Sequence, residues 1–364
     1  MQGFTVKRTE HASLVAKLAR IAQGRTTLEA LQTIKFEVSE DMITMTATDL
    51  QTAIVVSMKA SSTKNGSFCL PAKRYSEMVS GMHGDTIVVS YETKAEVKSA
   101  KSKFVLNGLA GEEFPEIIIP DGVVATVTAD DLARVAGRTT QFVNPDQTSS
   151  IGGLHVFSED GTLWFESSLD HGMAFARDGI SNSGVGEIDC TLAHEGMSEF
   201  SNMSGLVEIR QDKNKIVFVS NEETVVCGKL GKQYPIIFKE LYKTIKGEVY
   251  ATDKGQLLNL VSEAKLAASK DNMYTIWIQP DIDELYVSAD TEIGTFDGSV
   301  AAVSSEGVPF GVGADNLKNI LSVMPSGSID LVVSGPTSPV FVRRSDAGSS
   351  LYTAGFMPRI RGAK

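Results

Sequence analysis

Cysteine is scarce and unpatterned in this chain of 364 residues: Cys69, Cys190 and Cys227 are scattered, with no C-x-x-C pair. That excludes a zinc ribbon or a disulfide framework and fits a reducing compartment, with the thiols as small core residues. Long hydrophobic runs are missing too. No stretch of about 18 apolar residues occurs, and the opening MQGFTVKRTEH has no apolar segment after a basic start. Neither a membrane span nor a signal peptide is expected, and the chain reads as cytoplasmic. The five histidines, His11, His83, His155, His171 and His194, include no pair four apart, and there is no G-x-x-x-x-G-K-[ST], G-x-G-x-x-G, H-E-x-x-H or G-x-S-x-G. One fragment, SSTK from Ser61 to Lys64, has the S-x-x-K spacing of an acyl-transferring serine. It lacks the S-D-N and K-T-G partners and reads as a polar turn. DIDEL, residues 281–285, has no Gly-centred loop and reads as a turn between strands. No catalytic residue, metal or cofactor is expected.

What is present is a globular composition, 42% hydrophobic and 22% charged, with 34 basic against 45 acidic residues and a net charge of −11. The length suits two or three domains. So acidic a surface does not hold nucleic acid everywhere, which leaves room only for a local basic strip.

A repeat of about 120 residues organises the chain. Helical patterns at 10–25 (EHASLVAKLARIAQGR), 129–142 (ADDLARVAGRTTQF) and 253–269 (DKGQLLNLVSEAKLAAS) start at that interval. A second set follows in step at 70–82, 191–205 and 312–327, each with Gly or Pro at its end as helix stops do. Strand-like runs at 43–49, 163–169 and 285–291 keep the same interval, as do Cys69 and Cys190. Phe114-Pro115 and Tyr234-Pro235 close the first two units, and Met357-Pro358 falls near the third position. The expectation is an α+β architecture: three domains, 1–120, 121–245 and 246–364, each an antiparallel sheet with two helices on one face. Repeated contacts of this kind either close into a ring or grow without limit. The helical segments are close to neutral, with Glu10, Asp130, Asp253 and Asp315 in first turns where the helix dipole accounts for them. Their lysines and arginines, on a common inner surface, could sit opposite phosphates without reading bases. The segment at 191–205 carries no Lys or Arg, so such a track is uneven.

Three stretches, TATDLQTAI, CLPAKRYSEMVSGM and KSKFVLNGLAGEEFPEI, in this order and spacing, together with TQFVN, HGMAFA, YPIIFKEL and the closing Met-Pro, resemble the bacterial DNA polymerase III beta subunit family, the sliding clamps. The resemblance covers essentially the whole chain. It implies a DNA clamp fold, a ring of two three-domain chains around double-stranded DNA. It also implies no catalysis, and partners comprising the replicative polymerase, a clamp loader and other proteins with clamp-binding motifs. By motif match, DNA contacts fall on Arg25 of GRTTLEAL and on Lys73-Arg74, with Arg20, Arg134, Arg138 and Lys265 on the helices. The head-to-tail homodimer interface falls on Phe104 and Leu106 flanked by Lys101 and Lys103, facing Ala267, Ala268, Glu292 and Asp297. A partner-peptide pocket falls on Ile151, Ser168, His171, Met173, Pro235, Lys239, Phe356, Met357 and Pro358. Two of its stretches depart from the family pattern, at Ser168–Met173 and at Met357–Arg361.

Overall fold

The computed structural model describes residues 2–22, 26–170, 173–182, 184–193, 197, 199–200, 203–243, 245–292, 294–346 and 351–359. The chain forms two compact units, Met1–Asp130 with Glu195–Lys229, and Asp131–His194 with Leu230–Lys364. Six α-helices are described: α1 Arg8–Ile21, α2 Ala72–Gly81, α3 Ala129–Thr139, α4 Ile236–Lys243, α5 Lys254–Ala267 and α6 Ala314–Val323. Helix α1 packs on α2, and α5 on α6.

The first unit holds a five-stranded antiparallel sheet, in the order Ser61–Lys64, Gln2–Lys7, Thr86–Tyr91, Lys94–Ser99, Ser102–Asn107. SSTK is therefore an edge strand hydrogen-bonded to Gln2–Lys7 and not a turn, because its alternating backbone groups find partners that composition alone did not announce. A second sheet runs Leu109–Ala110, Gly66–Pro71, Thr33–Val38, Met42–Thr48, Thr52–Lys59, Glu223–Leu230, Lys215–Val219, Leu206–Gln211, Val123–Thr128. Its central pairing, Val55 opposite Thr224, joins a strand of the first repeat to a strand of the second. The second unit is built alike. One sheet runs Asp189–Leu192, Leu154–Glu159, Thr162–Ser168, Phe175–Ser181, Thr353–Phe356, Val340–Arg344, Ser328–Val333, Glu248–Asp253. Phe175 opposite Gly355 is the pairing between second and third repeats. A further sheet runs Phe310–Gly313, Thr275–Asp281, Glu284–Thr291, Gly294–Val303, with Ile282 and Asp283 in the turn read from DIDEL.

Helix faces follow the apolar spacing. His11, Val15 and Leu18 of α1, Leu257, Val261 and Ala264 of α5, and Leu317, Ile320 and Leu321 of α6 are buried. Each large apolar side chain so buried contributes about 1.5–3 kcal/mol. Asp253 caps α5, accepting from the Gln256 amide at 2.8 Å. The helix expected over 191–205 falls in part on residues outside the described set; Thr191 and Leu192, expected at its start, end a strand instead. Helix α4 was not expected at all.

Under α1, His11 Nε2 lies 2.6 Å from Tyr75 Oη, both side chains fully buried among Phe4, Phe36 and Phe68. Burial pushes the imidazole down from 6.5 to about 3. It stays neutral in the native state while the unfolded chain protonates it, so below pH 6.5 the unfolded state binds more protons and stability falls with pH. The expected slope from this group is about 1.4 kcal/mol per pH unit, developing as pH drops from 6.5 toward 3. Urea denaturation between pH 7 and 5 checks it: His11→Gln should lower stability at pH 7 and flatten the slope. Parallel slopes in the two proteins would contradict this assignment.

Candidate functional site

Three surfaces gather the residues singled out from the sequence. The first is the set of helix cations. Arg20, in the last turn of α1, is 59% exposed but donates from Nη2 to Glu199 at 2.9 Å, and that carboxylate is 1% exposed. Lys17, one turn earlier and buried, sits 3.2 Å from the other Glu199 oxygen and also bonds Glu223. Burial pushes the Glu199 carboxyl up, but the Arg20 hydrogen bond and the Lys17 charge outweigh it and hold the group below its ordinary value. At Glu223 burial prevails over Lys17 and raises the group. A recess of about 710 Å³ opens beside this network, lined by Leu14, Met58, Met203, Ser220 and Glu222 among others.

In the second unit, α3 directs Arg134 and Arg138 onto one fully buried carboxylate. Asp178 Oδ2 accepts from Arg134 Nη1 at 2.7 Å and from Arg138 Nη1 at 3.0 Å, and Arg138 also stacks over Tyr352. Lys265 of α5 is paired with Asp315 at 2.6 Å and lies over the Tyr274 ring. Much of the helical positive charge is thus already matched inside the chain. Asp178→Asn should cost about 2–4 kcal/mol, because two partly buried guanidiniums lose their carboxylate. Urea unfolding would read this, and a loss under 1 kcal/mol would mean the pairing is incidental.

Lys73 and Arg74 stand apart. Both are exposed in the first turn of α2, where cations oppose the helix dipole, so their placement does not serve the helix. They border a recess of about 650 Å³ with Gln32, Asn107 and Gly108. Among the described residues Arg74 makes a surface ion pair, 3.6 Å from Glu77. Arg25 lies outside the described residues.

The second surface is the edge strand Ser102–Asn107, which pairs with Lys94–Ser99 on one side only among the described residues. Phe104 is 43% and Val105 54% exposed, while Leu106 is half-buried against the unit's own core. Lys101 is exposed, and Lys103 Nζ lies 2.5 Å from Glu96. In the other unit Glu292 and Asp297 are exposed beside and on the strand Gly294–Val303. Ala268 is 3% exposed and Ala267 packs on the core, so Ala268 is a core residue and presents nothing outward. The exposed aliphatic at that turn is Leu266, 82% exposed, which the sequence reading missed although it stands on the polar face of α5.

The third surface surrounds the strand Phe175–Ser181 and the C-terminal strand. Ser168 is fully buried, Ile151, Met173, Pro235 and Pro358 are half-buried, and Met357 is exposed. Phe356 is fully buried, 6.2 Å from Phe310, and so lies in the core beneath the surface. The Met173 carbonyl accepts from Asn316 Nδ2 at 3.1 Å. Arg359 is fastened through its backbone to Gly311 and through Nη1 to the Asn272 carbonyl. His171 lies outside the described residues, and Lys239 is described only by its backbone in α4. Leu241, Tyr242 and Ile245 pack on Phe175, Val332 and Phe341. The proline before Ile236 and the four-residue spacing of Ile237 and Leu241 in the sequence were the signals for this helix.

Among the described residues no group of three or more His, Cys, Asp or Glu is placed to hold a metal, and no helix is long and apolar enough to cross a membrane.

Residues 2–118 match the family model for the DNA polymerase III beta subunit, N-terminal domain. The beta sliding clamp of Synechocystis sp. is 21% identical over 92% of this chain and 93% of its own length. That of Bacillus subtilis is 21% identical over 93% and 95%. Among solved structures, a sliding clamp (DNA polymerase III subunit beta) from Pseudomonas aeruginosa bound to griselimycin superposes with a TM-score of 0.89, 19% identity and 99% of both chains covered. The DNA polymerase III beta subunit of Thermotoga maritima superposes with a TM-score of 0.87, 18% identity and 100% of both chains covered.

Proposed function

From the premise that this chain has the sliding-clamp fold throughout and a beta-subunit N-terminal domain over residues 2–118, we propose that it is a processivity clamp. Two copies close head to tail into a ring around duplex DNA and tether the replicative polymerase and other factors, with no base specificity and no catalysis of their own. The observation that carries this reading is the end-to-end fold match, 99% of both chains at a TM-score of 0.89. A ring of three-domain chains would use all three repeats. In this reading the domains are 1–120, 121–245 and 246–364, and the protein works in the cytoplasm.

Ring closure would set the open edge Ser102–Asn107, with Phe104 and Val105, against the strand Gly294–Val303 of a second copy. Lys101 and Lys103 would then face Glu292 and Asp297, with Leu266 beside them. Lys73, Arg74 and Arg25 are the proposed phosphate contacts, and the acidic remainder of the surface repels DNA elsewhere. The cleft of Ile151, Ser168, His171, Met173, Pro235, Lys239, Met357 and Pro358, floored by Phe356, would accept short partner peptides. Primer extension on a circular template with excess competitor DNA tests the proposal. Adding this protein with a loader and polymerase should lengthen products, and unchanged length would reject it.

A second reading, a peptide-binding scaffold that retains the ring but not the DNA, draws on the intramolecular pairing of Arg20, Arg134, Arg138 and Lys265. Salt separates the two. Contact with a few phosphates makes log K fall by about 0.9 per phosphate against log salt, and the scaffold would give a flat line.

A further inference from the structure

Helix α4 is short, eight residues from Ile236 to Lys243, and too brief to fix its own direction. It is nevertheless held at both ends by one continuous stack of rings and a guanidinium. At its entry Tyr234 is buried and lies flat on His155, centroids 4.8 Å apart and planes 13° apart. His155 is fixed by Glu166 at 2.7 Å on Nδ1 and Asp189 at 2.9 Å on Nε2, and stacks on Phe157 at 4.7 Å. The next member is Arg177, whose Cζ lies 5.0 Å from the Phe157 centroid, 3.6 Å from that of Trp164 and 5.4 Å from that of Tyr242, near the helix end. Glu159 ties the two sides together, 3.7 Å from Arg177 and 3.6 Å from Lys243.

We infer that Arg177 is a positioning residue for the partner-peptide cleft: it sets the orientation of α4, which follows Pro235 and carries Lys239, by bridging Tyr242 to the Trp164 and Phe157 rings. The inference rests on the cleft reading proposed above. Burying a guanidinium to 6% exposure is costly unless its charge and planar faces are used, and here both are. Burial lowers its proton affinity, countered by Glu166 and Glu159. The same strand continues to Phe175, which meets Tyr242 edge-on and pairs with Gly355 of the C-terminal strand. One strand therefore places α4 and the Met357 side of the cleft relative to each other.

The test uses the full chain and a synthetic hexapeptide ending in Leu-Phe. Arg177→Met keeps the stem and removes the planar cation; affinity should fall about tenfold, chiefly through faster dissociation, with the molar mass in solution unchanged. Arg177→Lys should not restore it, since a compact ammonium cannot stack. Trp164→Leu should give a similar loss, and the double variant little more, because the two residues act as a pair. Amide hydrogen exchange is the peptide-independent measure: residues 240–243 should exchange at least tenfold faster in Arg177→Met. Unchanged exchange in α4, or affinity within twofold of the parent alongside a lowered melting temperature, overturns the inference. If the parent protein fails to bind the peptide but α4 exchange still rises, the cleft reading fails and the positioning of α4 stands.

Discussion

Lys17→Met should lower the stability of the chain by about 3–5 kcal/mol, a large fraction of what a domain possesses. The reason is arithmetic of charge. Lys17 is buried on the face of α1, with Glu199 at 1% and Glu223 at 7% side-chain exposure on either side, and Arg20 reaches only the first of them. Removing the ammonium strands Glu223, where burial already pushes the carboxyl upward, and leaves Glu199 to Arg20 alone. The cost must therefore depend on pH. In the parent, Glu199 is held below its ordinary value, so its contribution is present above about pH 4.5 and fades as pH falls through the native value. In the variant Glu223 has lost its cation and Glu199 one of its two, so both protonate more readily in the native state and the gap between parent and variant should narrow below about pH 5. Urea denaturation at pH 7 and pH 4.5 measures it. Lys17→Met with Glu199→Gln and Glu223→Gln should recover most of the loss, since replacing a whole buried ionic group is often close to neutral. A single-variant loss below 1 kcal/mol, or a gap that widens in acid, would show that the network is not what holds α1 to the second-repeat strands.

The second large effect is expected at the open sheet edge. Phe104→Glu should raise the dissociation constant of the dimer about 100-fold or more while leaving the monomer's stability within about 0.5 kcal/mol. Phe104 is 43% exposed and contributes little to its own core, whereas a carboxylate there would be desolvated against a second copy. Leu266→Asp, on the opposing surface, should act the same way, because Leu266 is 82% exposed in the isolated chain and the fold does not need it. Sedimentation across a dilution series reads both. If Phe104→Glu shifts the equilibrium and Leu266→Asp does not, the edge is the interface but its counterpart lies elsewhere on the third repeat. If neither shifts it, this edge is not the contact between copies.

Periodicity made much of this fold legible. Five of the six described helices stand where Leu, Val and Ala recur at spacings of three and four, and the strands 42–48, 162–168 and 284–291 coincide with the repeated alternating runs. What escaped was decided by contacts far along the chain. Ser61–Lys64 is a strand because Gln2–Lys7 offers it an edge. Helix α4 exists because Leu241 and Tyr242 have Phe175 and Phe341 to cover. The same limit applies to site residues. A count of helical lysines and arginines registers charge but not its partner, so Arg134 and Arg138 look like a basic track until Asp178, some forty residues on, is folded beneath them. Lys73 and Arg74 keep their appeal for a reason visible in one dimension: two cations in a first turn serve something other than the helix.

Whether the protein encircles DNA is read by one measurement. The protein is loaded on a nicked circular duplex, free protein is removed, and half the sample is cut once with a restriction enzyme before filtration. A ring that encircles DNA without gripping bases should stay with the circle and leave the linear molecule by sliding off its ends. Equal retention on both would contradict the account and point to binding by contact, and absence from both after loading would point to the scaffold instead.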